Sequence, residues 1–244
     1  MNIKLFIINI IIIIIIIIII KKYFYNEAFN NYDNFIDYQV IHMSENTDRN
    51  ENITKMSKYI NQNINIFEAV KGKNVNLKKL YNFDEKINFN FYYKTKGEIG
   101  CYLSHLMLLK KLKNSNYKYC LILEDDFKID DTNFHNNIIK LINNIDDEFD
   151  LLFIGNLNNN HGKHYKDNIY FINPNEYMWG THGYIINISN INKIYNELLN
   201  IDLAIDNKYK KLIDNKILKG FVIYPILVNI NDYPTTVGLS SLFS

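Results

Sequence analysis

One stretch constrains the fold more than any other: KGEIGCYLSHLMLLKKLKNSNYKYCLILEDDFKID, residues 96–130. Its first half reads as a helix from Glu98 to Lys113, opened by Gly97. Glu98, Cys101, His105, Leu108, Leu109 and Leu112 share one face, and Lys110, Lys111 and Lys113 lie away from its centre. Its second half, Tyr119-Cys120-Leu121-Ile122-Leu123, is too continuously apolar for a strand with one face in water and belongs inside a sheet covered on both sides. Glu124, Asp125 and Asp126 follow without a break. Three carboxylates thus stand at the edge where open α/β sheets bind ligands.

The flanking sequence supplies the rest of such a sheet. Strands are predicted at Tyr38–Met43, Ile64–Ala69, Asp150–Gly155, Asn168–Ile172, after the turn Trp179–Gly183, and at Gly220–Val228. Helices are predicted from Asn46 or Thr47 to about Asn61, from Asp131 to Ile145, from Ile191 to Leu199 and from Ala204 to Ile213. Strands alternating with helices imply an α/β fold with a mostly parallel sheet flanked on both sides. Residues 73–95 lack clean periodicity and read as a short helix near Leu77 to Tyr81 plus loop. A chain of 244 residues, 48% hydrophobic and 22% charged, can bury one substantial core. Its formal net charge of +1 provides no basic field for nucleic acid, so no nucleic-acid partner is expected.

The N-terminus has a separate character. Residues 5–20 are apolar except for Asn9, with an unbroken isoleucine run from Ile10, and Lys21 and Lys22 follow. Counted from Ile3, with Lys4 and Lys21 snorkelling, the run is long enough to span a bilayer, and no small-residue cleavage site follows it. The expected organisation is therefore a transmembrane or signal-anchor segment at 1–22, a linker at 23–37 and a catalytic domain at 38–244. The membrane is a partner through a single-pass anchor. Its orientation is not set by charge, because Lys4 and the amino terminus balance Lys21 and Lys22. In a eukaryotic host the domain would face the lumen of the secretory pathway. The sequons at Asn52 and Asn187 suit that side but arise easily by chance in an Asn-rich chain.

Several side chains could carry chemistry. Hard carboxylate oxygens suit Mg²⁺ or Mn²⁺, and an i, i+2 pair such as Glu124 and Asp126 at a strand end lets one group reach a nucleotide ribose while the other coordinates a metal at its phosphates. The alternative is a solvated acidic turn. Glu98, Ser104 and His105 could hydrogen-bond sugar or base hydroxyls, or serve as a helix-start charge and a core histidine. Arg49, the single arginine, could fork onto a diphosphate or simply begin a helix. Asp202 and Asp206 flank a helix start, where an aspartate is either a cap or a general base. No spacing selects among His161, His164 and His182 as a further ligand, and Cys101 and Cys120 lack a zinc-like arrangement or a disulfide framework.

The blocks GEIGC-x-LSH and LILEDD resemble the signatures of glycosyltransferase family 25, which includes bacterial lipooligosaccharide galactosyltransferases and collagen hydroxylysine galactosyltransferases. Further likenesses are Phe67-Glu68-Ala69-Val70-Lys71-Gly72, Arg49 after the first strand, Trp179-Gly180-Thr181-His182-Gly183, Ala204-Ile205-Asp206 and, loosely, Pro225–Val228 with Ser240-Ser241. The resemblance implies a GT-A-like, Rossmann-type fold and an inverting, metal-dependent transfer of a hexose. It implies galactose from UDP-galactose as donor and a glycan or protein hydroxyl as acceptor. It further implies Asp126 and Glu124 as metal ligands, with Glu124-x-Asp126 departing from the usual Asp-x-Asp at its first position. Arg49, Glu98, Ser104, His105, Glu124 and Asp125 are then donor-binding and Asp206 the base, with Asp202 or Glu98 as substitutes. Two other classes remain: a catalytically silent binder of nucleotide sugar or glycan, and a glycosidase. The glycosidase is disfavoured because its carboxyl groups must stand about 5–9.5 Å apart across the substrate.

Overall fold

The computed structural model describes residues 34–76, 82–90, 95–146, 148–158 and 161–233, together with Ile16. The anchor expected at 1–22, most of the linker and the helix expected near Leu77 to Tyr81 lie outside the described residues. Among those described, no helix is long and apolar enough to cross a membrane.

Strands and helices of the described residues are numbered in chain order. The main sheet contains β1 (Ile36–His42), β2 (Asn65–Glu68), β4 (Tyr119–Glu124), β6 (Leu151–Gly155), β7 (His164–Lys166), β8 (Ile169–Phe171), β9 (Gly183–Asn187) and β11 (Gly220–Ile223). Their order is β2-β1-β4-β9-β6-β11-β8-β7. Two small ladders accompany it, β3 (Asn88–Phe89) with β10 (Asn200–Ile201) and β5 (Phe127–Lys128) with β12 (Asn229–Ile230). The helices are α1 (Thr47–Tyr59), α2 (Lys96–Leu112), α3 (Phe134–Asn144), α4 (Ile191–Leu198) and α5 (Ile205–Asp214).

The apolar runs fall where burial demands them. Leu121, Ile122 and Leu123 of β4, Leu151 to Ile154 of β6 and Tyr184 to Ile186 of β9 are all buried at the sheet centre, each full side chain contributing about 1.5–3 kcal/mol of hydrophobic stabilisation. The opening β-α-β unit forms as its pattern implies, with β1 and β2 parallel in register from Gln39↔Asn65 to His42↔Glu68.

The sheet is mostly parallel in strand direction, as expected, but mixed, with β8 and β9 running against the rest. β6 and β11 are parallel, but β9 runs antiparallel to both β4 and β6, and β8 antiparallel to β11 and β7. The physical reason lies in the connections. A parallel return needs a crossover of a dozen or more residues, usually a helix. β7 and β8 form a hairpin that the sequence pattern did not reveal, and residues 172–182 between β8 and β9 carry no helix. β9 therefore enters the sheet beside the end of β4, pairing Leu123 with Gly183. The strand expected to run to Val228 ends at Ile223, and Leu227 and Val228 instead donate to the Ile154 carbonyl.

Helix α2 is more deeply set than an amphipathic wheel suggests. Tyr102, Leu103 and Leu106 are buried as well as the expected Leu108, Leu109 and Leu112, because they share one core with Cys120, Ile122, Phe153 and Tyr184 of the sheet while α4 and α5 also pack on the helix. Tyr102 donates its hydroxyl to the Leu198 carbonyl at 2.9 Å. Thr95 and Glu98 close a capping box at its start, a reciprocal pairing that satisfies two backbone donors. A Cβ on Gly72 would lie 1.5 Å from the Lys96 carbonyl oxygen, and one on Gly100 would lie 2.5 Å from the Val70 carbonyl oxygen. Backbone meets backbone there, so only glycine fits at either position.

Candidate active site

The end of β4 opens into a cleft of about 200 Å³. Its floor is Glu124, Asp125 and Asp126; its walls are Ile41 of β1, Met43 just after it, Arg49 in the first turn of α1, Ala69 to Gly72 after β2, and Gly97, Cys101, Ser104 and His105 on α2. The three carboxylates have different surroundings. Glu124 is the last strand residue and Asp125 and Asp126 form the turn after it, so each meets a separate set of partners.

Asp125 is turned inward and fully engaged. One carboxylate oxygen accepts from Arg49 Nη1, the other pairs with His42 Nδ1 at 2.9 Å, and Arg49 also stacks 5.4 Å from the Tyr233 ring centroid. Asp125 lines the cleft, and its carboxylate holds Arg49 in the cleft wall. Arg49 keeps its place in the lining. His42 was missed in the sequence; a histidine ending a buried strand opposite an acidic turn was the available signal.

Glu124 faces the cleft beside α2. Its Oε1 accepts from the Thr181 hydroxyl at 2.6 Å and lies 3.5 Å from His105 Nε2. Burial acts to raise its pKa, but hydrogen bonding and charge from His105, with the Thr181 bond, outweigh that and bring it to about 2. Glu124 is thus ionised throughout the physiological range. His105 is in turn oriented by Tyr184, whose hydroxyl is 2.8 Å from Nδ1. Thr181 was legible only as part of the Trp179–Gly183 motif, because the antiparallel entry of β9 is what brings it to Glu124; the Glu124 N–H donates to the His182 carbonyl at the same junction.

Asp126 differs from both. Its Oδ1 is buried without a hydrogen-bond partner among the described residues. Burial, reinforced by the negative charges of Glu124 and Asp125 and only partly offset by Arg49, raises its pKa to about 6. A desolvated carboxylate oxygen beside a second ionised carboxylate is the arrangement a hard divalent cation would relieve.

Other predicted residues occupy supporting positions. Ser104 lines the cleft and ties α2 to the 69–72 loop, donating to the Gly100 carbonyl at 2.7 Å and accepting from the Val70 N–H at 2.8 Å. Glu98 accepts from the Thr95 N–H at 2.8 Å in the capping box. Asp202 pairs with Lys208 and Lys211, each at 2.8 Å; burial acts to raise its pKa, but those bonds outweigh it and lower it. Asp206 lies in the first turn of α5 while the cap position is Ala204. Its Oδ2 accepts from the Gly180 N–H at 3.1 Å and its Oδ1 from the Asn207 N–H at 2.7 Å. Asp206 does not line the cleft, yet it belongs to the same acidic cluster: after burial, the charges of Glu124, Asp206, Asp126 and Glu98 raise the Cys101 thiol pKa well above its ordinary value.

Cys101, His105 and Glu124 place one ligand atom each within 4.8 Å of one another. The i, i+4 spacing of Cys101 and His105 on a helix was the legible signal for this trio. Its thiol stays protonated at neutral pH, so the oxygen pair of Asp126 and Glu124 is the better match to a hard cation. His182 is buried and donates to the Val228 carbonyl at 3.2 Å, while His161 sits between the rings of Tyr170 and Tyr224 and His164 is paired with the Asp167 carbonyl. The sequon residues are occupied too: Asn52 donates to the Phe127 carbonyl, and Asn187 accepts from Ser189.

The family model described as glycosyltransferase family 25 (LPS biosynthesis protein) matches residues 35–209. Procollagen galactosyltransferase 2 of Homo sapiens is 26% identical over 220 residues, covering 80% of this chain and 34% of that protein. A glycosyltransferase 25 family member of Anopheles gambiae is 29% identical over 97 residues, 37% of this chain and 16% of that protein. The chain spans about a third of the length of the first of these relatives, and less of the second. Among solved structures, a glycosyltransferase involved in glycosylation of the major capsid of PBCV-1 aligns with 82% of this chain and 94% of its own, at 12% identity and a TM-score of 0.46.

Proposed function

Because the chain belongs to glycosyltransferase family 25, we propose that it transfers a hexose, galactose from UDP-galactose, to a hydroxyl of a glycan or protein acceptor with inversion at the anomeric carbon. The observation that carries this reading is the unpartnered, buried Oδ1 of Asp126 beside ionised Glu124 in the cleft at the end of β4.

Asp126 and Glu124 would hold a Mn²⁺ or Mg²⁺ ion. When bound, it would supply positive charge to the departing diphosphate. Arg49, held by Asp125 and Tyr233, adds a fixed cation in the cleft wall without reorganising during reaction. Thr181 and His105 fix the Glu124 carboxylate. Asp206 is assigned as the base: the acceptor oxygen forms its bond to the anomeric carbon as the bond to the diphosphate oxygen breaks, and the hydroxyl proton passes to the Asp206 carboxylate. The anchor at 1–22 would keep this chemistry at a membrane surface.

The test is a panel of UDP-sugars with the full chain, reading released UDP with and without acceptor and with Mn²⁺, Mg²⁺ or EDTA. Turnover should be highest with UDP-galactose and lost in EDTA. Full activity in EDTA would remove the metal from the mechanism. Donor binding without any turnover on the whole panel would leave the silent-binder reading in place of the transferase.

A further inference from the structure

The most exposed large apolar side chains among the described residues are two aromatics and a leucine joined through one loop. Tyr177 is 73% exposed, Trp179 58% and Leu157 56%, an outlay of apolar surface that marks a contact site when it is clustered. These residues are held outward by a small network. The Leu157 N–H donates to the Trp179 carbonyl at 2.9 Å, the Trp179 N–H to Asn158 Oδ1 at 3.1 Å, and Asn158 Nδ2 to the Tyr177 carbonyl. The platform is therefore preorganised, which lowers the entropic cost of a ligand settling on it.

The same loop runs directly into the acidic cluster. Gly180 follows Trp179 at φ +87 and donates its N–H to Asp206, and Thr181 then reaches Glu124. On its other side Tyr177 borders a cleft lined by Asn175, Glu176, Asn207 and Asn215. Its cations are neutralised locally: Lys210 pairs with Asp214, and Lys211 with Asp202. Flat aromatic faces beside neutral amides, with both lysines paired, suit a ligand that is uncharged, rich in hydroxyls and apolar on one face.

We propose that Trp179 and Tyr177 form the acceptor subsite and that its occupant is a neutral pyranose of a glycan, stacked on the aromatic faces with hydroxyls toward Asn175 and Asn207. Asp206 is bonded to both ends of this region, accepting from the Asn207 N–H and from the Gly180 N–H next to Trp179. The inference rests on the transferase reading for its purpose but not for its test.

Trp179 is the only tryptophan in the chain, so intrinsic fluorescence reports the platform directly. The full chain is titrated with lactose, with cellobiose and with a hydroxyl-rich Ser/Thr peptide. A saturable change in emission with at least one disaccharide in the millimolar range, and none with the peptide, is the expected result. In transfer assays with a responding sugar, Trp179→Ala should raise the acceptor KM by roughly tenfold, the effect of losing one stacking contact, with kcat changed far less. Silent disaccharides, or a response to the peptide alone, would overturn the proposal. Emission that responds to sugar in a chain that never turns over UDP-sugar would defeat the transferase reading and keep the glycan site; turnover with silent emission would do the reverse.

Discussion

Asp125 and Asp126 are sequence neighbours whose removal should move stability in opposite directions. Asp125 compensates Arg49 and His42, which are only 5% and 2% exposed. Asp125→Ala strands a buried guanidinium, a loss of about 3–5 kcal/mol. At about 2–4 °C per kcal/mol for a domain of this size, the melting temperature should fall by about 6–20 °C. Asp126 is the reverse case. Its pKa is raised from 3.8 to about 6, so the folded state binds the proton more tightly than the unfolded one. The penalty is fully present above pH about 6 and vanishes below the unfolded value of 3.8. A rise of that size corresponds to roughly 3 kcal/mol at most. Asp126→Asn in EDTA should therefore raise the melting temperature at neutral pH, by up to about 10 °C, and the gain should shrink as the solution is acidified. Saturating Mn²⁺ should stabilise the parent by about 3 kcal/mol at a hundredfold excess over Kd and leave Asp126→Asn unmoved. Thermal unfolding followed by circular dichroism, across pH and metal, reads all of this. If Asp126→Asn is as destabilising as Asp125→Ala, the division of the acidic turn into a structural and a metal-binding carboxylate is wrong.

Three further outcomes follow from the same contacts. Asp206→Asn retains one acceptor oxygen in place of two and so gives up one of the bonds from the Gly180 and Asn207 N–H groups, costing about 1 kcal/mol, while single-turnover transfer slows by about 10²- to 10⁴-fold; a mutant within threefold or so of the parent would leave Asp206 a positioning residue. Gly72→Ala forces a Cβ into the Lys96 carbonyl and should cost more than the usual ~1–3 kcal/mol of overpacking, visible as loss of cooperative unfolding; near-native stability would show that α2 does not seat on this loop as described. Burial lowers the pKa of His135, so the unfolded chain takes up that proton first and stability is lost as pH falls below about 6.5. His135→Gln should flatten this part of the stability profile by up to about 1.4 kcal/mol per pH unit, and an unchanged acid slope would count against it.

Much of the molecule was legible without coordinates. The apolar block Tyr119–Leu123 and its carboxylates specify a buried strand with a functional end, because a run with no polar alternation has no stable place at a sheet surface. The β-α-β opening and the helices that follow it were readable for the same reason of periodicity. The glycines of GEIGC and of the 67–72 segment were legible as motifs; their cause, the backbone contact between Gly72 and Lys96, was not.

What the sequence by itself determined, then, is the set of buried strands and the acidic edge. It could not assign the partners of Glu124, Asp125 and Asp126, because adjacent residues look alike in sequence and differ only in what lies opposite. That was decided by the direction of β9. Its missing crossover helix turns it antiparallel between β4 and β6, and so its start, with Thr181 and His182, meets the end of β4, where a parallel strand would have brought its other end. Strand direction depends on where a connection travels in space, and that path exists only in the folded chain.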